Sequence, residues 1–234
     1  MRGQLPPRYQ RYEASWLTGF RDLAAPGLLP GALILDLGAG RSPIFTPAER
    51  PADVAYVGLD ISKSELQAAP PGSYDEVVVG DATERISELE NRFNLVVSWQ
   101  VLEHVASLSD AIENLYAYLR PGGYAIASLS GRYSIFALLN LLLPQRVGHT
   151  IVARAMRRDP DTVFPAHYDR CYRSALESLV ADSWSEVEIE NVWCGAVYFR
   201  FMRPLQAAYV LYEEWAYLTN RGNLATHYFL RLRK

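Results

Sequence analysis

A chain of 234 residues, half of them hydrophobic and 21% charged, has apolar mass for one large core and too much of it for a disordered polypeptide. The formal net charge of -3 gives no electrostatic reason to expect a nucleic-acid partner. Two cysteines, Cys171 and Cys194, are too few for a disulfide or metal framework and predict a reducing, cytoplasmic setting. The first residues lack the apolar core of a signal peptide. The longest apolar run, Ile135 to Leu143, is interrupted by Asn140 and falls well short of the ~20 residues that span a bilayer, so a soluble protein without a transmembrane segment is expected.

Residues 1–30 form an N-terminal segment in which Tyr9, Tyr12, Trp16 and Phe20 recur at roughly helical spacing before Pro26 and Pro30-Gly31 break the pattern. From residue 32 apolar strands are predicted at Ala32–Leu37, Val54–Leu59, Glu76–Val79, Leu95–Ser98 and Tyr124–Ser128. Helical or loop segments at about 62–69, 83–91 and 107–119 separate them, and Leu119-Arg120-Pro121-Gly122-Gly123 closes the last of these. This alternation predicts an α/β chain with a parallel sheet covered on both faces. Residues 131–167 carry the Leu-rich run and several prolines and are expected to form a helical cap insertion; 168–181 is expected to be a helix. Two late strands are predicted at Val187–Val192 and Thr226–Leu232, with a helical insertion over 200–222 that starts near Pro204. The whole of 1–234 is expected to be one domain.

The strand Ile34-Leu35-Asp36-Leu37 runs into the turn Gly38-Ala39-Gly40 and then Arg41-Ser42-Pro43. Glycine lets a ligand approach the backbone and tolerates positive φ, and Asp60, at the tip of the next strand, stands where an adenosine ribose would present its hydroxyls. Asp36, late in a buried strand, needs hydrogen bonds from turn amides or from a partner near the cofactor. Asp60 also suits a helix N-cap, and Asp81 before Ala82-Thr83 suits ordinary capping. After the fourth strand come Trp99, Gln100, Glu103 and His104. In a helical turn Gln100, Glu103 and His104 would share a face, an arrangement open to a divalent cation, to a His104 base, or to a structural role.

Taken together these segments resemble the class I S-adenosylmethionine-dependent methyltransferases over about residues 30–130. The resemblance rests on Asp36-Leu37-Gly38-Ala39-Gly40, Val57-Gly58-Leu59-Asp60-Ile61-Ser62, Gly80-Asp81-Ala82, Leu102-Glu103-His104-Val105 and the Pro121-Gly122-Gly123 turn. It implies a Rossmann-like seven-stranded sheet with an antiparallel last strand, and S-adenosyl-L-methionine as cofactor. The implied cofactor-binding residues are Asp36, Gly38, Ala39, Gly40, Asp60, Ile61, Asp81, Ala82 and Trp99, with Asp60 on the ribose and Asp81 on the adenine amino group. The usual third glycine of the motif is Ser42 here.

Gln100-Val101-Leu102-Glu103-His104 further resembles the Glu-x-x-Glu-His motif of ubiquinone-biosynthesis O-methyltransferases, which implies Mg2+ at Gln100, Glu103 and His104, with glutamine replacing the first carboxylate. The expected catalytic residues are Glu103, His104 and His167; His149 and His227 are expected to be structural. The reaction implied is O-methylation of a small-molecule, glycan or lipid-like acceptor, and the aromatic-rich stretches leave a homodimer interface open. An Asn/Asp-Pro-Pro-Tyr/Phe motif is missing after the fourth strand, which disfavours methylation of nucleic-acid bases. The competing readings are a non-catalytic adenosyl-binding protein and a nicotinamide-dependent oxidoreductase.

Overall fold

The computed structural model describes residues 16–135, 137–138, 166–199 and 202–234. Seven strands form one sheet in the order β3-β2-β1-β4-β5-β7-β6. They are β1 (Leu33–Leu37), β2 (Ala55–Asp60), β3 (Glu76–Val79), β4 (Phe93–Trp99), β5 (Leu119–Ser130), β6 (Glu186–Val192) and β7 (His227–Arg233). All neighbouring pairs from β3 to β5 are parallel, and β7 runs antiparallel to both β5 and β6.

Strand alternation sorts the apolar residues into two layers. Leu35, Leu37, Val57, Leu59 and Val96 face one core with α3 (Leu108–Tyr118) and α4 (Arg173–Val180). Ile34, Tyr56, Leu95, Val97, Ile126 and Phe229 face the other with Phe20 and Ala24 of α1 (Trp16–Ala24). Helices therefore cover both faces. A short helix, α2 (Lys63–Gln67), follows β2 with Ser62 as its N-cap, accepting from the Glu65 amide.

Of the segments between strands, the one over 83–91, expected as helix or loop, is a loop, and the helix expected over 168–181 starts only at Arg173. Only a single 3-10 turn, Ser87–Leu89, stands between β3 and β4. Here Asp81 Oδ1 ties back to the Thr83 amide and hydroxyl, and Tyr118 takes the Ile86 amide and the Glu84 carbonyl, so the local bonds are used before a helix can start. Residues 168–172 are not the first turn of α4. Tyr168 and Arg170 adopt positive φ (49° and 51°), and the segment is pinned by the Tyr168 amide on the Glu103 carbonyl and by Asp169 on the Leu108 amide. The cap expected over 131–167 lies almost wholly outside the described residues, as do Tyr9, Tyr12 and His149.

The late helix α5 (Arg203–Leu218) sits between β6 and β7 in the chain, with Pro204 in its first turn. Its Tyr209 packs on Phe199, whereas Trp215 (49%) and Tyr217 (56%) are exposed. Glu213 of α5 is fully buried and accepts from the Gly195 and Ala196 amides and from the Thr226 hydroxyl. It thereby fixes the start of β7 to the turn that carries Tyr198. Glu213→Ala leaves these donors buried without an acceptor and is expected to cost about 3 kcal/mol or more, read as a lower urea midpoint at unchanged m-value.

Candidate active site

The first half of the candidate site is built at the C-terminal ends of β1 and β2, where open α/β sheets gather ligands. Gly38 has φ 77°, and a Cβ there would lie 2.0 Å from Val101 Cγ2, so only glycine lets this turn pass under the β4 loop. The Gly38 and Ala39 amides both donate to the Leu59 carbonyl (2.7 and 3.1 Å), and the Gly40 amide donates to Asp60 Oδ2 at 2.9 Å. The other Asp60 oxygen accepts from the Ser62 amide at 2.7 Å. Asp60 thus organises the turn even without a ligand, and burial raises its pKa. Beside it the apolar Ile61 is 59% exposed.

Beneath the turn lies a brace that no local sequence pattern marks. Asp36 accepts from the Ile44 amide (2.9 Å) and the Tyr56 hydroxyl (2.8 Å), as its buried position required. Tyr74 donates to the Ala39 carbonyl at 2.8 Å and stacks on Tyr56. It can lie on β2 only because residue 58 is glycine, since a Cβ there would come within 2.8 Å of the Tyr74 ring. Arg50 covers Tyr56 at 3.7 Å and donates to the carbonyls of Phe45 and Ser73.

Burial lifts Asp36 to about 6 from 3.8, against the lowering by its hydrogen bonds. A carboxyl whose folded pKa is raised contributes stability that is complete below the unfolded pKa and lost as pH rises through the folded one. Between about pH 4 and 6 the wild type should therefore lose stability that Asp36→Asn does not lose. At pH 8 the variant is expected to be more stable by up to about 3 kcal/mol, checked by urea unfolding at several pH values.

The second half of the site follows β4. Gln100 takes φ 56°, a left-handed conformation that costs a non-glycine residue about 1–3 kcal/mol. The expected helical turn through Gln100, Glu103 and His104 therefore does not form. Instead the Gln100 side chain donates to Ser128 Oγ and accepts from Ser130 Oγ, both at 2.8 Å. The Ser130 hydroxyl also lies 2.8 Å from Glu103 Oε1. Glu103 is 3% exposed, its Oε2 has no hydrogen-bond partner among the described residues, and burial raises its pKa while neighbouring His104 opposes the rise.

With Gln100 committed to two serines, the proposed cation set lacks its first ligand. Among the described residues no group of three His, Cys, Asp or Glu side chains converges on a point. The site as built does not fit Mg2+.

The structure brings His167 to Glu103 through its backbone amide, 2.9 Å from the Glu103 carbonyl, but leaves residue 167 exposed. Trp99, at the end of β4, packs on Trp16 (4.7 Å between centroids) and Phe20 (4.9 Å). It stands with His227, which sequence reasoning assigned to structure alone. The His227 ring lies 4.2 Å from Trp16, and its Nε2 is 3.3 Å from Tyr198 Oη. The one available signal for His227 was its position near the start of a late strand that runs antiparallel, which puts it at the edge where the parallel strands end.

A 3-2-1-4-5-7-6 sheet with an antiparallel seventh strand, a glycine turn and an acid at the tip of β2 define a Rossmann-like protein of the methyltransferase type. Residues 9–182 match the family model described as Methyltransferase domain, and the chain belongs to that family, the class I S-adenosylmethionine-dependent methyltransferases. It is similar to the ubiquinone biosynthesis O-methyltransferase of Methylobacterium sp. (strain 4-46), at 29% identity over 116 residues, 48% of this chain and 46% of the relative. The chain thus spans about half the length of the curated relatives it matches.

Among solved structures, its fold is similar to an S-adenosylmethionine-dependent methyltransferase of Thermotoga maritima, described as a possible histamine N-methyltransferase. The TM-score is 0.55 at 13% identity, over 97% of this chain and 92% of that one. It is also similar to the (4+2)-cyclase SpnF, with a TM-score of 0.58 at 15% identity over 95% and 83%. Fold and family do not by themselves choose the acceptor.

Proposed function

We propose that the chain transfers a methyl group from S-adenosylmethionine to a hydroxyl oxygen of a small-molecule, sugar or lipid-type acceptor. The observation that carries the oxygen assignment is Glu103, a buried carboxyl with one oxygen held by Ser130 and the other unpartnered at the sheet edge. A hydroxyl nucleophile must lose a proton as it attacks, and a carboxylate with a raised pKa and an open lone pair is suited to take it. The names of the curated relatives support oxygen as the target atom.

The residues present fit the cofactor. The Gly38 and Gly40 turn leaves no side chain above the strand end, Asp60 offers carboxylate lone pairs to ribose hydroxyls, and Ile61 offers an apolar face to adenine. Asp81, whose Oδ1 shapes its own loop, is assigned to the adenine amino group, with Ala82 beside it. When bound, S-adenosylmethionine supplies an electrophilic methyl carbon on a sulfonium. The chain's own work is to align the acceptor oxygen and remove its proton to Glu103. His104, next to Glu103, holds that carboxyl nearer its ionised form.

Thermal shift with S-adenosylhomocysteine and with NAD tests the donor: stabilisation by the first alone is expected, and by NAD alone would overturn the reading. A screen of hydroxyl compounds with methyl-labelled cofactor then tests the acceptor. Cofactor binding with no label transferred to any oxygen, nitrogen or carbon acceptor would favour a non-methylating protein on this fold.

A further inference from the structure

The edge formed by β4, β5 and β7 holds more polar chemistry than proton removal uses. His227 lies directly opposite Ser130 in the antiparallel register, and Ser130 is the residue that holds Glu103. Its Nε2 is engaged by Tyr198 and its face by Trp16, while Nδ1 is buried with no hydrogen-bond partner among the described residues. The ring is 2% exposed, and burial pushes its pKa down to about 3, so it is neutral at physiological pH. Two orphaned buried atoms, Glu103 Oε2 and His227 Nδ1, thus flank one serine, beside the aromatic rings of Trp16, Trp99 and Tyr198. Buried polar atoms are ordinarily paired, so an unpaired couple at a sheet's ligand edge marks places for a ligand's polar atoms.

We propose that His227 is a specificity-determining acceptor contact, presenting Nδ1 to a second hydroxyl of a planar aromatic acceptor whose reacting hydroxyl lies at Glu103. This rests on the oxygen-directed reading above. A hydroxyl is the group that fits either tautomer. If Tyr198 gives its proton to Nε2, Nδ1 carries the hydrogen and needs an acceptor; if Nε2 donates to Tyr198, Nδ1 needs a donor. A neutral ring offers no counter-charge to a carboxylate or phosphate substituent. The indole surfaces of Trp16 and Trp99 favour a flat ring over an alkyl chain.

The test uses the full chain loaded with S-adenosylhomocysteine and titrated calorimetrically with phenol, catechol, resorcinol and hydroquinone. At least one diol is expected to bind about tenfold tighter than phenol, the usual worth of one net hydrogen bond. His227→Phe, which keeps an aromatic ring, should erase that preference, and His227→Asn should restore part of it. Unchanged S-adenosylhomocysteine affinity shows that each variant is folded. No diol preference in the wild type, or one that survives in His227→Phe, overturns the proposal and leaves the methyltransferase reading intact. Failure of the wild type to bind S-adenosylhomocysteine takes down both.

Discussion

Asp60→Ala is expected to weaken S-adenosylhomocysteine binding about 100-fold. The carboxylate sits at the tip of β2 with its two oxygens on the amides of Gly40 and Ser62, at 2.9 and 2.7 Å. Each oxygen has further lone-pair capacity, so the same group that closes the turn is free to accept from two ribose hydroxyls. Hydrogen bonds to a charged group are worth about 1.5–3 kcal/mol each, and losing two gives about 3 kcal/mol at the low end, or about a hundredfold. The alanine variant also leaves the Gly40 amide without its acceptor, which loosens the turn under the cofactor.

Asp60→Asn keeps one acceptor oxygen and should lose less. Burial raises the Asp60 pKa, and hydroxyl donors prefer the ionised carboxylate. Cofactor affinity should therefore fall as pH drops through a value raised above the ordinary aspartate pKa. Isothermal titration measures both effects; a loss under threefold in the alanine variant would remove Asp60 from the cofactor site.

Much of this architecture is legible in the sequence because it is encoded locally. Each strand carries an apolar run bounded by turn residues, and the β1–β2 unit carries Gly38, Gly40 and Asp60 in register. Asp36 is legible by elimination, since a buried carboxyl must find donors, and it finds the Ile44 amide and Tyr56. The brace beneath the turn is not legible, because Arg50, Tyr56 and Tyr74 meet only through tertiary packing and none stands in a recognisable pattern. Gln100 is the sharpest miss. Its side chain type suggested a metal ligand, but its left-handed backbone turns the amide toward Ser128 and Ser130 of β5, a relation between strands that periodicity cannot show. The edge proposed for the acceptor gathers Trp16, Glu103, Ser130, Tyr198 and His227 from five separate stretches of chain. Only the sheet order places them side by side.

Glu103→Gln is expected to lower kcat by 10²–10⁴-fold, the usual worth of a positioned general base, with S-adenosylhomocysteine affinity within about twofold of wild type. Glutamine is nearly isosteric, and its amide oxygen can still accept from Ser130, so the network of Gln100, Ser128 and Ser130 should persist. What it cannot do is take a proton at the position of Oε2. Stability is expected to move the other way. Burial raises the Glu103 pKa, so its folded-state contribution is complete below the unfolded value and lost as pH rises through the folded one. At pH values above the folded pKa the wild type carries an ionised group that burial disfavours, and there the glutamine variant should unfold at equal or higher denaturant concentration. In the wild type, kcat/KM should fall as pH drops through a pKa above 4.5, and that limb should vanish from the residual activity of the variant. A purely structural carboxyl predicts the opposite pairing: lost stability, lost cofactor affinity and an unchanged acid limb. The combination of a slower, no less stable enzyme with a flattened pH profile is thus specific to Glu103 as the group that receives the acceptor's proton.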